Sequence, residues 1–422
     1  MSKFGIFAIC VLATGPLSGC GESTASNPGA SGSAGSAGSA GASSGGNSSG
    51  GASGGGAGTG NPGGSGSGGT AGGAGSGGSA GSGGQAPVGV PFVYVGGTDG
   101  NISLYGLDLA AKTLTFREAV DAGDYPSFIA VDPQHRYLYA VNEGTAEVAA
   151  FSIDQASGVL TFLNRVDSGG GAPAHVAVDQ SGGYVMVANY NGGNVRVLPI
   201  GADGSLGTPT DTEDVGTNPH LIITDAANQF AFVPTKGSDM IAQYTFSAGQ
   251  LAANAVPQVA TASGAGPRHM VFSPNGDFAY VINELDSTMN SYSYDKAQGR
   301  LTEIDSDSTL PQGFNGQNTC AEVVVAPSGL FLYGSNRGHD SIVIYSIAAT
   351  GELSYVANDA SGGSTPRNFT LDPTGTVMLV ANRNTSNVVV FSVDGTTGRI
   401  VNESEVSVEQ PEYVGVVMLP GQ

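Results

Sequence analysis

Apolar and polar residues alternate along most of the chain after residue 86, in short runs that end at turn residues. The stretch 266–295, GPRHMVFSPNGDFAYVINELDSTMNSYSYD, contains two such runs separated by Asn275-Gly276, a pair that favours a tight hairpin turn. Alternation with a period of two, bounded by turns, indicates strands that each bury one face. We therefore predict an all-β domain over 87–422.

This hairpin is one copy of a repeated unit, whose first residue we call the anchor. The anchors are Pro126, Pro173, Pro219, Pro267, Cys320, Pro366 and Pro411, at spacings of 47, 46, 48, 53, 46 and 45 residues. A third and a fourth strand follow the hairpin in the complete repeats. Four strands per unit of about 45 residues is typical of a propeller blade, whereas a β-solenoid, the alternative, has shorter repeats.

The two ends of the domain complete each other. The seventh unit, from Pro411, contains a single strand, while residues 91–116, PFVYVGGTDGNISLYGLDLAAKTLTF, supply strands that lack a first partner. The prediction is a seven-bladed β-propeller closed by its N- and C-terminal strands. Closure of the ring leaves only short, protected strand edges.

The first 86 residues have a different character. Lys3, an apolar run over 4–13 and Leu17-Ser18-Gly19-Cys20 predict a lipoprotein signal peptide over 1–20, with Cys20 as the lipid attachment site. An ordinary cleaved signal or a chance apolar run is the alternative. Residues 21–86 are nearly all Gly, Ser and Ala, which predicts a disordered linker. We expect a lipid-anchored protein of the bacterial cell envelope, facing the periplasm or the cell surface.

The charge of the chain is strongly negative, with 35 Asp and Glu against 14 Lys and Arg. This argues against nucleic acid as a partner and leaves the lipidated Cys20 as the only expected membrane contact. Nevertheless, five of the Lys and Arg occur at two equivalent positions of the repeats: directly after the anchor and sixteen residues later. The charged residues and the histidine at these positions are Glu143, His220, Lys236, Arg268, Glu284, Arg337, Arg367, Arg383 and Glu412.

These two positions flank the open end of an antiparallel hairpin, so we expect them to gather at one face of the ring. Arginines match carboxylates and phosphates and can hold a developing oxyanion, and a carboxylate or imidazole nearby can accept a proton. The pattern therefore favours a site that binds an anionic or carbonyl-bearing small molecule. Alternatively, the charged residues only pair and lock neighbouring blades. No cluster with metal-ligand spacing occurs, so we predict neither a metal nor a cofactor.

The segments GPRHMVFSPNGDFAYVINELDST and LFLYGSNRGHDSIVIYSI resemble the seven-bladed lactonase family, over about 92–419. This family includes propeller-type 6-phosphogluconolactonase and carboxy-cis,cis-muconate cyclase. The resemblance implies catalytic roles for His220 in NPH, Arg268 in GPRH, Glu284 in NELDS and Arg337 in NRGHDS. It leaves open whether Glu284 or His220 activates water, while the two arginines would hold the lactone carbonyl oxygen.

The resulting hypothesis is that the protein, as a monomer, hydrolyses a sugar lactone or a related anionic lactone without a metal ion. Cycloisomerase activity at the same site is the alternative reaction. Substrate contacts would come from Lys236, Arg367, Arg383, Glu143 and Glu412. A non-catalytic surface propeller that binds a ligand or a protein is the alternative. A calcium-dependent, six-bladed lactonase is disfavoured by the seven repeats and the cationic site.

Three further features of the sequence bear on the site, and the first two have two interpretations each. The 53-residue spacing adds LPQGFNGQN, residues 310–318, either as a loop at the pocket mouth or as a neutral surface insertion. Cys320 is either a nucleophile or a buried thiol. His269 follows Arg268 directly, so strand alternation predicts that the two side chains point to opposite faces.

Overall fold

The computed structural model describes residues 89–420, which contain 28 strands and one 3-10 helix. The predicted signal peptide, Cys20 and the whole of the predicted linker lie outside the described residues. Within 89–420, no helix is long and apolar enough to cross a membrane.

The strands form seven antiparallel sheets of four, which we number as blades along the chain. Blade 1 consists of β28 (Pro411–Leu419), β1 (Val90–Gly97), β2 (Asn101–Asp108) and β3 (Thr113–Asp121). Blade 2 consists of β4 (Pro126–Val131), β5 (Tyr137–Asn142), β6 (Glu147–Ile153) and β7 (Leu160–Asp167). Blade 3 consists of β8 (Pro173–Val178), β9 (Tyr184–Asn189), β10 (Asn194–Pro199) and β11 (Asp211–Asp214).

The remaining blades repeat this order. Blade 4 consists of β12 (Ile223–Thr224), β13 (Phe230–Thr235), β14 (Met240–Ser247) and β15 (Gln250–Ala260), with the 3-10 helix Lys236–Ser238 between β13 and β14. Blade 5 consists of β16 (Pro267–Phe272), β17 (Phe278–Asn283), β18 (Thr288–Asp295) and β19 (Arg300–Ser308). Blade 6 consists of β20 (Thr319–Val325), β21 (Phe331–Arg337), β22 (Ser341–Ile347) and β23 (Leu353–Ala360). Blade 7 consists of β24 (Pro366–Leu371), β25 (Val377–Asn382), β26 (Asn387–Val393) and β27 (Ile400–Ser407).

The predicted seven-bladed ring and its closure are confirmed. β28 pairs with β1 along its length, with Tyr94 opposite Gly415, so one blade contains both ends of the domain. Apolar side chains from neighbouring blades pack together; for example, Tyr139 of blade 2 shares a buried cluster with Val185 of blade 3. Full burial of such a side chain contributes about 1.5–3 kcal/mol, so these interfaces hold the ring together.

A β-bulge interrupts the first strand of several blades near its start. In blades 2, 3, 5 and 7, the register between the first two strands shifts just after the anchor proline. In blade 5 the extra residue is Arg268, because Pro267 pairs with Asn283 and His269 with Ile282. A bulge interrupts the regular alternation of side chains and re-aims the residues beside it.

Candidate active site

The two sets of equivalent positions meet at one face of the ring. Arg268 is the bulge residue after Pro267, and Glu284 follows Asn283, the partner of Pro267; the two side chains form an ion pair at this end of the hairpin. The charged side chains surround a cavity of about 180 Å³. Its walls are formed by Glu143, Ala174, Tyr190, His220, Lys236, Glu284, Arg337 and Arg367.

Glu284 is enclosed by three cations. Lys236 Nζ donates a hydrogen bond of 2.6 Å to Oε1, and Arg337 Nη2 lies 3.3 Å from the same oxygen. Arg268 Nε lies 3.1 Å from Oε2, in an ion pair rather than an aligned hydrogen bond. Burial opposes ionisation, but Arg268, Arg337 and Lys236 together lower the pKa of Glu284 to about 2. A carboxylate stabilised to this degree is a weak base.

Arg268 lies behind Glu284 rather than at the cavity wall. Its side chain is 3% exposed, and Nη1 donates a 2.6 Å hydrogen bond to the backbone oxygen of Ala321 in blade 6. Burial, and next the charge of Arg337, lower the pKa of Arg268 to about 9, which leaves it protonated at neutral pH. Arg337 is also fixed by a main-chain contact, because its Nη2 donates to the oxygen of Cys320 at 2.6 Å. The arginines therefore join Glu284 of blade 5 to blade 6.

His220 is neutral rather than cationic at neutral pH. It lies between β11 and β12, and its backbone N donates to the oxygen of Pro234 at 3.0 Å. Burial, and next the charge of Arg268, hold the pKa of His220 well below its usual value of 6.5. Its Nδ1 is buried and has no hydrogen-bond partner among the described residues. A neutral imidazole at the cavity wall is in the form that can accept a proton.

Glu412 is the centre of a second ion-pair group. Its side chain is fully buried and forms ion pairs with Arg367 and Arg383. Tyr125 Oη also donates to Glu412 Oε1 at 2.7 Å. Glu412 is predicted from the sequence to contact the substrate, but its side chain has no exposed surface with which to contact a solute. This arrangement fits a role in positioning the two arginines, of which Arg367 reaches the cavity.

Positive charge exceeds negative charge around the cavity. Five cations of the cluster face Glu143, Glu284, Glu412 and, next to the buried Arg268, Glu322, which leaves a surplus of one positive charge. Glu143 is the carboxylate without a cationic partner in the described residues, and its Oε2 is buried without a hydrogen bond there. Over residues 89–420, no group of three His, Cys, Asp or Glu side chains is arranged to hold a metal ion.

The prediction for His269 is wrong. Its ring lies 5.1 Å from that of His220, and the bulge at Arg268 interrupts the alternation on which the prediction depended. His269 Nδ1 contacts Glu322 Oε1 at 2.9 Å, and Asn368 Nδ2 donates to Glu322 Oε2 at 2.5 Å. All three residues are second after an anchor, so a comparison of that position across the repeats could have found this buried layer. Tyr190 lies at the second of the two equivalent repeat positions, although no site role was predicted for it; its Oη accepts a 3.1 Å hydrogen bond from Lys236.

Cys320 fits the interpretation as a buried thiol. Its side chain has no exposed surface, and Sγ lies 3.2 Å from Thr309 Oγ1 and 3.3 Å from Asn336 Oδ1. Burial raises the pKa of the thiol to about 11, so the nucleophilic thiolate is scarce at neutral pH.

The inserted loop after β19 lies beside the site, because its residue Gln317 lines a groove whose wall also includes Arg337.

Comparisons with known proteins agree with this geometry. Residues 92–417 match the family model described as "Lactonase, 7-bladed beta-propeller". A 6-phosphogluconolactonase of Bacillus subtilis is 34% identical over 333 residues, or 76% of this chain and 95% of that protein. A 6-phosphogluconolactonase of Pectobacterium carotovorum is 32% identical over 312 residues, or 74% and 93% of the two chains.

A solved structure of a gluconolactonase has the same fold as this chain. The periplasmic gluconolactonase of Pseudomonas aeruginosa superposes with a TM-score of 0.73 at 28% identity, covering 78% of this chain and 100% of that one. The match in sequence and in structure spans all seven blades. The chain belongs to the seven-bladed β-propeller lactonase family.

Proposed function

We propose that this protein is an exported lactonase that hydrolyses a sugar lactone or a related anionic lactone without a metal ion. The observation that carries the proposal is the neutral His220 at the wall of a cavity with surplus positive charge. A neutral base and fixed cations are the two elements that ester hydrolysis requires. The relatives named as 6-phosphogluconolactonases support the same reaction class.

In the proposed mechanism, His220 accepts a proton from a water molecule as its oxygen attacks the lactone carbonyl carbon. The carbonyl electrons move to the oxygen, and Arg337 and Lys236 at the cavity wall stabilise the resulting oxyanion. Collapse of the tetrahedral intermediate breaks the ring C–O bond, and the proton on His220 passes to the leaving alkoxide. The product is the open-chain hydroxy acid.

Glu284 and Arg268 support this chemistry in different ways. Glu284 fixes Lys236 and Arg337 at the distances described above, and its negative charge reduces their mutual repulsion. Arg268 acts through Glu284, because it is buried behind that carboxylate. In this scheme His220 is the base and Arg337 and Lys236 hold the oxyanion, whereas Glu284 and Arg268 are positioning residues.

The surplus charge supports an anionic substrate. Arg367 reaches the cavity while Glu412 holds it in place, and Arg383 flanks the same carboxylate. Guanidinium groups bind carboxylate and phosphate through paired donors. We assign Arg367 and Arg383 to a carboxylate or phosphate of the substrate, and Glu143 to a substrate hydroxyl.

We also propose that Cys20 carries the lipid that anchors the protein in the cell envelope. The motif before Cys20 supports this, and the Pseudomonas aeruginosa relative is described as periplasmic. The variant Cys20→Ser should not incorporate labelled fatty acid and should leave the membrane fraction. Equal labelling of the variant and the parent would contradict the anchor.

Proton release from a panel of lactones tests the proposed function. The full-length protein in mild detergent, with EDTA present, would be offered neutral, carboxylated and phosphorylated γ- and δ-lactones. We expect turnover that resists EDTA, with a higher kcat/KM for an anionic lactone than for its neutral counterpart. Activity that disappears with EDTA and returns with a divalent cation would contradict the metal-independent mechanism.

A further inference from the structure

We infer that the site continues past Arg337 into a second subsite, which binds a neutral, polyhydroxylated substituent of the lactone. A glycosyl group attached to the sugar lactone is the simplest such substituent. The inference rests on the proposed lactonase function and specifies the class of substrate.

The two cavities have one residue in common. The catalytic cavity measures about 180 Å³, and the groove beside it measures about 350 Å³. Arg337 lines both of them, so a ligand in the first can extend over this side chain into the second. The groove is therefore placed to receive a part of the substrate that the smaller cavity does not hold.

The lining of the groove differs from that of the catalytic cavity. Apart from Arg337 and Asp340, the named side chains at its wall are amides and hydroxyls: Gln317, Asn318, Thr319, Ser364 and Thr365. The amide of Asn318 already bonds to Ser287, Asn336 and the backbone of His339, and the other four groups can donate and accept hydrogen bonds without a net charge, as sugar hydroxyls do.

The two charged groups at the wall do not favour an anion. Arg337 already contacts Glu284 and the backbone oxygen of Cys320. The carboxylate of Asp340 would repel an anionic substituent, whereas it can accept a hydrogen bond from a hydroxyl. The groove therefore suits a neutral polyol, and the anionic part of a substrate belongs in the first cavity.

The wall of the groove is fixed before any ligand arrives. Asn318 Nδ2 donates to Ser287 Oγ at 3.0 Å and to Asn336 Oδ1 at 2.9 Å, and Asn318 Oδ1 accepts from the backbone N of His339 at 3.1 Å. Phe314 packs against the ring of His339, with centroids 4.8 Å apart. A wall held in this way loses little conformational entropy when it binds a ligand.

Gly338 permits the close approach of the inserted loop to the end of β21. Its φ is +129°, and a Cβ at this position would meet the backbone oxygen of Gln317 at 2.2 Å. The loop is present in one repeat, where it lengthens the anchor spacing to 53 residues. The groove is therefore a feature of blade 6 and of the loop before it.

The test compares two substrates on the full-length protein: glucono-δ-lactone and its 4-O-glucosyl derivative, cellobiono-δ-lactone. The measured quantity is the ratio of kcat/KM for the glucosylated lactone to kcat/KM for the simple one. Ser364→Tyr places a large side chain in the groove. Ser328→Tyr is the matched control, because Ser328 lies in the turn between β20 and β21, at the other end of those strands.

We expect a ratio of about tenfold or more in the parent, which corresponds to a few new hydrogen bonds. The ratio should fall toward one in Ser364→Tyr and stay at the parental value in Ser328→Tyr. A parental ratio near one, or equal ratios in the two variants, would overturn the subsite.

Equilibrium binding separates the subsite from the proposed function. Calorimetry with the open-chain products, gluconate and cellobionate, needs no turnover. If neither these two lactones nor any other lactone of the panel is hydrolysed, the proposed function fails, but tighter binding of cellobionate that Ser364→Tyr abolishes would still support the subsite. Equal affinities for the two acids would overturn it.

Discussion

Glu284 and His220 show how one group of cations acts on two titratable side chains. A positive environment favours the deprotonated form of any acid, so it keeps a carboxylate ionised and an imidazole neutral. Arg268 is the main charged neighbour in both cases: it lowers the pKa of Glu284 and that of His220. The same arginine therefore fixes the charge of the central anion and the neutral state of the base.

The pH dependence of kcat/KM tests this assignment. His220 acts only when neutral, so activity is lost as pH falls through its pKa in the folded protein, which lies well below 6.5. Glu284, with a pKa of about 2, stays ionised over the accessible range. We expect kcat/KM to remain constant from pH 8 to below pH 6.5, measured as lactone loss corrected for spontaneous hydrolysis.

The variant Arg367→Gln provides the matched comparison for that profile. Arg367 also lowers the pKa of His220, so its loss should shift the acid limb toward higher pH. The variant will also weaken substrate binding, but the midpoint of the limb does not depend on the absolute rate. An acid limb at or above pH 6.5 in the parent, or the same midpoint in both proteins, would argue against His220 as the base.

At the scale of the strand, the sequence predicts more of the fold than of the orientation of side chains. Alternation and the anchor spacing predict the hairpins, and the hairpin geometry predicts that Arg268 and Glu284 are neighbours. The bulge after Pro267 could not be predicted from alternation, because it depends on how two strands pair. For this reason the position of His269 beside His220 was missed, as was its contact with Glu322.

The strand β28 closes the ring, and its removal should prevent folding. A chain that ends at Glu409 lacks the first strand of blade 1 and leaves β1 with an unpaired edge. It also loses Glu412, the buried partner of Arg367 and Arg383. Because domains are stable by only about 5–15 kcal/mol, we expect no cooperative thermal transition by circular dichroism.

A chain that ends at Pro420 is the control for this truncation, since it retains all of β28. It should unfold at the same temperature as the parent. If the chain ending at Glu409 unfolded with the parental midpoint, the closure by β28 would not be what holds the ring together.

Over the whole molecule, charge is unevenly distributed. The chain has a formal net charge of −21, yet the cluster at the site has a surplus of positive charge. Near the center of the ring lie three buried histidines, His175, His220 and His269, each with its pKa lowered, first by burial. Repeat comparison predicted the charged ring, whereas the burial of these histidines required the three-dimensional packing.

These histidines should make the protein sensitive to mild acid. Their pKa values are lower in the folded protein than in the unfolded chain, where the value is about 6.5. Below that pH the unfolded chain binds more protons, so the free energy of unfolding decreases as pH falls. We expect a decrease of up to about 1.4 kcal/mol per pH unit for each histidine, measured by urea unfolding between pH 7 and 5.

The same titration has an internal comparison. Glu284, whose pKa is lowered in the folded protein, contributes stability that is present above about pH 4.5 and lost below it. Its contribution therefore stays constant over the range in which the histidines act. A urea midpoint that does not change between pH 7 and 5 would contradict the neutral, buried state of the three histidines.

The most direct test of the account is the rate of hydrolysis of glucono-δ-lactone by the parent and by His220→Asn and Glu284→Gln. The control is His135→Asn, since His135 lies between β4 and β5, away from the cavity. We predict turnover by the parent and the control, and a loss of about 10²–10⁴-fold in His220→Asn, as expected for a general base. Parental activity in His220→Asn would contradict the mechanism. No hydrolysis by the parent above the uncatalysed rate, for this or any other lactone of the panel, would instead favour a non-catalytic binding propeller.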